Sequence, residues 1–138
     1  MNILQIPFVE KTGIQRDSEG ALALTFNDSI HNHLQTIHAS AQFTLAETAS
    51  GEFLQNKYPD LAGKVIPLLR ESQVKFKKPA TNSIAAYASV TSEASDKFNI
   101  QFQKKGRASL PIYVEIKDTE DTVTCTGTFT WFIQRVEE

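Results

Sequence analysis

Ala39-Ser40-Ala41-Gln42-Phe43-Thr44-Leu45-Ala46-Glu47-Thr48-Ala49-Ser50-Gly51-Glu52-Phe53-Leu54-Gln55-Asn56-Lys57-Tyr58 contains no proline, and its one glycine is Gly51. Ala39, Phe43, Ala46, Ser50, Phe53 and Leu54 recur at steps of three, four and seven, the spacing of one helical face. Thr44, Thr48, Glu52 and Gln55 collect elsewhere on the circumference. Pro59 follows directly, where a helix commonly stops. The spacing predicts one helix from Ala39 to about Tyr58, roughly 30 Å long.

The flanking segments read as strands. Leu22, Leu24 and Phe26 alternate with Ala23 and Thr25, the period of a half-buried strand. Residues Pro7 to Asp17 are expected to pair with it through a turn at Ser18-Glu19-Gly20. Beyond the helix, Val74 and Phe76 alternate with Lys75 and Lys77, and Lys78-Pro79 ends that run. Ile84, Ala86, Ala88 and Val90 alternate, as do Ile112, Val114 and Ile116. Val123, Cys125, Gly127, Phe129, Trp131 and Ile133 oppose a row of Thr124, Thr126, Thr128 and Thr130, which suits one face of a pleated sheet. Residues 95–105 carry two readings. Phe98, Ile100 and Phe102 alternate like a strand, yet Ser95 or Asp96 could cap a short helix ending in Lys104-Lys105, with Gly106 as its stop. Periodicity does not separate the two.

The order is two strands, one long helix, then three or four long antiparallel strands. The expected class is α+β, with an antiparallel sheet of five to six strands wrapped around one long central helix. That is the hotdog architecture.

Composition bounds the function. The chain has 138 residues and a mass of 15.4 kDa, the size of one domain spanning 1–138. Hydrophobic residues make up 41% and charged residues 22%, which excludes a disordered or low-complexity chain. Net charge is -2, without the basic excess of a phosphate-gripping domain, so no nucleic-acid partner is expected. The single cysteine, Cys125, excludes an internal disulfide and a cysteine-based zinc site. The N-terminus lacks the features of a signal peptide, and no apolar run approaches the length of a membrane span. A cytoplasmic protein without membrane association is expected. A domain this small leaves little room for a deep private pocket, so a site shared between subunits is expected if it is an enzyme.

The stretch Asn32-His33-Leu34-Gln35-Thr36-Ile37-His38-Ala39-Ser40-Ala41-Gln42-Phe43-Thr44-Leu45-Ala46-Glu47-Thr48-Ala49 resembles the helix signature of hotdog acyl-CoA thioesterases, in particular the phenylacetyl-CoA thioesterase-like group. That signature has an Asn, then His-Gly-Gly or His-Ala-Gly at the helix start, then Leu-Ala-Asp or Leu-Ala-Glu two turns on. Phe76-Lys77-Lys78-Pro79-Ala80 is similar to the strand that follows in that group. Gly127-Thr128-Phe129-Thr130-Trp131 is similar to the closing strand of its uncharacterised hotdog relatives.

The resemblance implies hydrolysis of an acyl-CoA thioester, with no cofactor and no metal. It implies Glu47 as general base on water and the amide of Ala39, directly after His38, as the donor to the carbonyl oxygen. Asn32 would position the water or the carbonyl, and His38 would brace the loop or the carbonyl. As simpler uses, Asn32 suits a turn and His38 a helix start. A carboxylate at Glu47 beside Phe43, Ser50 and Leu54 must be paired, hydrated or functional, because burying it alone is costly. Partial desolvation raises its pKa and makes it a better base; the alternative is a rim position facing water. Ala39 and Ser40 replace two glycines of the pattern, which narrows a thioester slot but retains the amide.

Glu47 lies eight residues beyond Ala39, about 12 Å along the helix axis. One helix therefore cannot aim both groups at one thioester. Two helices packed antiparallel across a two-fold axis can, so a homodimer or dimer of dimers with composite sites is expected. Ser40, Lys78 and Lys77 are the expected substrate-binding residues. The lysines belong to a basic set with Lys75, Lys104, Lys105 and Arg107 that attracts coenzyme A phosphates by charge.

Other chemistries have weaker support. Asp28 and His33 have the Asp-x-x-x-x-His spacing of hotdog (R)-specific enoyl-CoA hydratases, and a non-catalytic acyl-CoA-binding protein is a further reading. His31, His33 and His38 form no persuasive metal set. Ser40, Ser50 and Cys125 have no partner motif for a nucleophile.

Overall fold

The structure is a computed structural model that describes residues 1–136. A short helix, α1 (Pro7–Thr12), precedes two short strands, β1 (Gln15–Arg16) and β2 (Leu22–Leu24). The long helix α2 spans Ala39–Lys57. Then come β3 (Val65–Phe76), β4 (Ile84–Ser89), helix α3 (Ser92–Lys105), β5 (Arg107–Asp118) and β6 (Val123–Arg135). The six strands form one antiparallel sheet in the order β1-β2-β4-β5-β6-β3. This is the α+β arrangement expected from the sequence.

The core lies between the sheet and α2. Leu110, Ile112, Val114 and Ile116 of β5 alternate inward, as do Cys125, Phe129 and Ile133 of β6. They meet Leu45, Ala46, Ala49 and Leu54 of the helix. Phe43 meets Phe129 edge-on with ring centroids 5.5 Å apart, a favoured aromatic geometry. The buried side of α2 is wider than the stripe read from the sequence, since Gln42, Thr48 and Ala49 are buried and Ala39 is exposed. Phe43 and Phe53 are half-buried flanks rather than the centre.

Three expectations need correction. Residues Pro7 to Asp17 are mostly α1, not a strand, with only Gln15–Arg16 pairing to β2. Pro7 stands at the first helical turn, where its missing N–H costs nothing, and Gly13 closes the helix in the left-handed region at φ 83°. The ambiguous segment is a helix, but Thr91 caps it by accepting the Ala94 N–H at 3.1 Å, so it begins earlier than Ser95. Its Phe98 and Phe102 stack and cover the core beside Tyr58, with Phe98 and Tyr58 ring centroids 5.1 Å apart. Gly106 ends it as expected. The strand at Val74–Phe76 is the last part of a twelve-residue β3. Its first half, Val65-Ile66-Pro67-Leu68-Leu69-Arg70, does not alternate and contains a proline, which an edge strand paired only to β6 tolerates. A bulge between Leu69 and Glu71 resets the faces.

The threonine row is also broken at one point. Ile116 pairs with Cys125 and Lys117 with Val123, which leaves Thr124 as a bulge residue. Its hydroxyl turns inward and donates to Gln42 Oε1 at 2.7 Å, with both residues buried. Thr124→Val keeps the shape and leaves the Gln42 carbonyl oxygen unmet, a loss of about 1–3 kcal/mol. Urea denaturation should show it as a lowered midpoint, with Thr128→Val on the outer face changing stability by no more than about 0.5 kcal/mol.

Candidate functional site

The site begins in the loop that leads into α2. His31 and Ile37 form an isolated antiparallel bridge around residues 32–36. Asn32 organises that turn: its Oδ1 accepts the Leu34 and Thr36 N–H groups at 2.9 and 3.1 Å, and its Nδ2 donates to Thr36 Oγ1 at 2.8 Å. The turn is closed and the carboxamide is engaged within it. The Ile37 N–H donates to the Ala80 carbonyl at 2.9 Å, which ties the loop to the segment after β3.

His38 is the N-cap of α2. Its Nδ1 accepts the Ser40 N–H at 2.9 Å, a capping bond made by a ring nitrogen instead of the usual oxygen. Ala39 is then the first helical residue. Its N–H has no intrahelical acceptor and no hydrogen-bond partner among the described residues. The positive end of the helix dipole therefore presents one free amide at an exposed position.

A groove of about 550 Å³ runs from this amide along α2, lined by Ala39, Ser40, Phe43, Thr44 and Glu47. Phe8 of α1 and Leu69 and Phe76 of β3 complete it. Thr44 is a groove residue that the sequence reading missed, although Ser40, Thr44 and Glu47 sit at i, i+4 and i+7 on one stripe. Phe8 and Leu69 were also missed, and only tertiary packing brings them to the helix. The Thr44 hydroxyl donates to the Ser40 carbonyl at 2.8 Å.

Glu47 is half-buried, and its carboxylate makes no ion pair or hydrogen bond among the described residues. Burial in this apolar groove pushes its pKa above the ordinary carboxylate value. By contrast, Glu52 one face away is engaged by Arg16, whose Nη1 donates to it at 3.0 Å. Two of the neighbours expected beside Glu47 do not meet its carboxylate. Ser50 Oγ donates to the Glu47 backbone carbonyl at 2.6 Å and accepts the Trp131 Nε1–H at 2.8 Å, and Leu54 is buried in the core.

The basic residues divide into two groups. Lys77 and Lys78 directly follow Phe76 at the groove, and both of their N–H groups donate to the Thr124 carbonyl, at 2.8 and 3.2 Å. Lys104, Lys105 and Arg107 lie at the other end of β6, where Arg107 is in register with Gln134. One joint cluster is therefore not formed.

Asp28 is fully exposed, and its nearest basic partner is His31 Nδ1 at 3.7 Å rather than His33, so the hydratase pair is not assembled. His31 is tucked against Phe26 with ring centroids 4.4 Å apart. Among the described residues, no three metal-binding side chains converge. Cys125 is buried and its thiol is pushed up to about 11 by desolvation, which suits a core position and not a nucleophile.

Comparison with known proteins adds a family and a fold. A family model described as a domain of unknown function, DUF4442, matches residues 10–133. No curated protein matches the sequence significantly. Among solved structures, a Pseudomonas aeruginosa protein of unknown function described as a probable thioesterase, PA5026, superposes with a TM-score of 0.82 at 19% identity, over 97% of this chain and 91% of that one. A Chlorobaculum tepidum protein of unknown function gives 0.81 at 16% identity, over 96% and 88%. The BH2602 protein of Bacillus halodurans, solved with CoA, gives 0.70 at 21% identity, over 91% and 74%. Among the described residues, no helix is long and apolar enough to cross a membrane. With the family model covering most of its length and the sheet wrapped around α2 as in these structures, the chain belongs to the DUF4442 family and has the hotdog fold.

Proposed function

We propose that the protein hydrolyses acyl-CoA thioesters to free acid and CoA, in composite sites formed by two copies of the chain. The observation that carries this reading is the unpaired, half-buried Glu47 carboxylate in a groove whose other end is the free amide of Ala39. A general base needs a raised pKa and room for a water, and an oxyanion needs a preorganised donor. Both features lie on α2, and the CoA bound to one structural neighbour fits the same substrate class.

In this mechanism Glu47 takes a proton from water as its oxygen attacks the thioester carbon. The negative charge that develops on the carbonyl oxygen is held by the Ala39 N–H and the helix dipole behind it. Collapse of the tetrahedral species breaks the carbon–sulfur bond, releasing CoA as thiolate and the acid. The proton on Glu47 then returns to the products. His38 fixes the helix start through Ser40, and Asn32 holds the loop that carries His38, so both act as positioning residues. Ser40 borders the amide, and Lys78 and Lys77 sit where they would draw the CoA phosphates to the groove by charge.

A base reaches its target through one water over about 6 Å, twice the ordinary hydrogen-bond distance. The roughly 12 Å between Ala39 and Glu47 along one helix exceeds that, so the working pair comes from two helices. A panel of acyl-CoAs from acetyl to dodecanoyl, with free thiol measured, should show turnover. Binding of acyl-CoA without thiol release would instead support a non-catalytic carrier.

A further inference from the structure

A second cavity, of about 620 Å³, lies toward the C-terminal end of α2. Leu54, Trp131, Val65, Pro67, Ile3 and Ile6 are among its lining residues. Its volume and apolar lining are those of a small-molecule site. It neighbours the Glu47 groove on the same two elements, α2 and β3. Leu69 lines the groove and Pro67, two residues away on the same strand face, lines the cavity. On the helix, Glu47 lines the groove and Gly51, one turn on, lines the cavity.

We propose that this cavity receives the acyl tail of the thioester whose carbonyl lies beside Glu47, and that Gly51, in the cavity wall against Trp131, determines which tails fit. The inference rests on the thioesterase reading and adds its substrate class, an unbranched apolar tail of medium length. Gly51 is otherwise a poor residue for mid-helix, costing about 0.5–1 kcal/mol relative to alanine. Its bare backbone lies against the Trp131 ring: a Cβ there would come within 3.3 Å of Trp131 Cζ2. The ring is held by its Nε1–H bond to Ser50 Oγ at 2.8 Å, and any retreat from position 51 stretches that bond. A branched side chain at position 51 would therefore press on the Trp131 ring and reshape the cavity wall that both residues form.

The reach follows from helix geometry. Tyr58, also a lining residue, is eleven residues beyond Glu47, about 16 Å along the axis. An extended chain advances about 1.2 Å per bond, so that distance holds a tail of roughly 12 carbons. Gln55 lines the cavity too, but its Nε2 donates to the Met1 carbonyl, so it is already partnered. Few polar groups are left for a polar tail.

Trp131 is the only tryptophan, so its emission reports on the cavity wall directly. The native chain is titrated with dodecyl-CoA thioether, which cannot be hydrolysed, and separately with butyl-CoA thioether and CoA. Dodecyl-CoA should give a saturable shift of Trp131 emission that the other two do not. In parallel, the ratio of dodecanoyl- to butanoyl-CoA hydrolysis is measured for Gly51→Val and Val65→Phe, which fill the cavity from different elements. Each should lower the ratio by about 10-fold or more. Dodecyl-CoA that fails to bind, or that binds by calorimetry without moving Trp131, overturns the proposal. So do unchanged ratios in both folded variants, which would place the tail elsewhere, including against a second copy of the chain. A Trp131 shift with no hydrolysis of any acyl-CoA upholds the tail site and overturns the thioesterase reading instead.

Discussion

Glu47→Gln is expected to lose about 10²-fold or more in kcat for acyl-CoA hydrolysis, the usual scale for removing a general base. Gln has nearly the same shape and keeps the groove filled, so the fold and acyl-CoA binding should persist. Stability separates a catalytic from a structural role. Burial holds the Glu47 pKa above its ordinary value, so the folded chain binds this proton more tightly than the unfolded chain. The stabilising contribution is present at low pH and is lost as pH rises through the raised pKa. Removing the ionisable group should therefore leave the Tm at pH 7 equal to or above that of the native chain. Below the ordinary glutamate range the two proteins should converge. A folded variant with an unchanged rate would sink the assignment, and a lower Tm at pH 7 would point to an unseen partner for the carboxylate.

Mixing two inactive variants should restore about a quarter of native activity per subunit. Glu47→Gln is one partner and Ala39→Pro is the other, since proline removes the amide donor. Position 39 suits this substitution unusually well. It is the first helical residue, where proline is favoured. The preceding His38 has φ -60° and ψ 140°, the extended conformation that a residue before proline prefers. The Ala39 N–H has no partner among the described residues, so no bond is lost. In a mixed dimer, one site inherits both defects and the other keeps an intact amide and an intact Glu47. Random exchange at equal amounts makes about half of the dimers mixed, each with one working site of two. Native mass spectrometry, which resolves the mixed dimer from both parents by mass, would verify exchange before the thiol assay. No recovery after verified exchange means that both groups serve one site from one chain, or that Glu47 is not the base.

Local sequence determined the elements whose signals are periodic. The step of three and four from Ala39 to Leu54 fixed α2, because an amphipathic helix needs only local hydrogen bonds and one apolar side. The alternation through Ile112–Ile116 and Phe129–Ile133 fixed the central strands, because a one-residue slip would turn their apolar side chains to solvent. His38-Ala39 and Glu47 were legible as site candidates through the spacing on that helix and the resemblance it carries. The N-terminal arm was misread because a proline, Glu10 and Lys11, and a closing Gly13 outweigh weak alternation. The first half of β3 was not legible because Pro67 and the bulge near Leu69 disrupt the period, and only the pairing with β6 makes it a strand.

Tertiary structure alone decided how the seam beside α2 is walled. Phe8, Leu69 and Phe76 come from sequence-distant elements, and nothing in their local patterns assigns them to Glu47. The bulge that turns Thr124 to Gln42 likewise depends on register between two strands, which a single strand's sequence does not encode. The absence of a partner for the Glu47 carboxylate among the described residues is the same kind of fact. A carboxylate's charge state is set by what surrounds it in three dimensions, and neighbours along the chain supply only part of that environment.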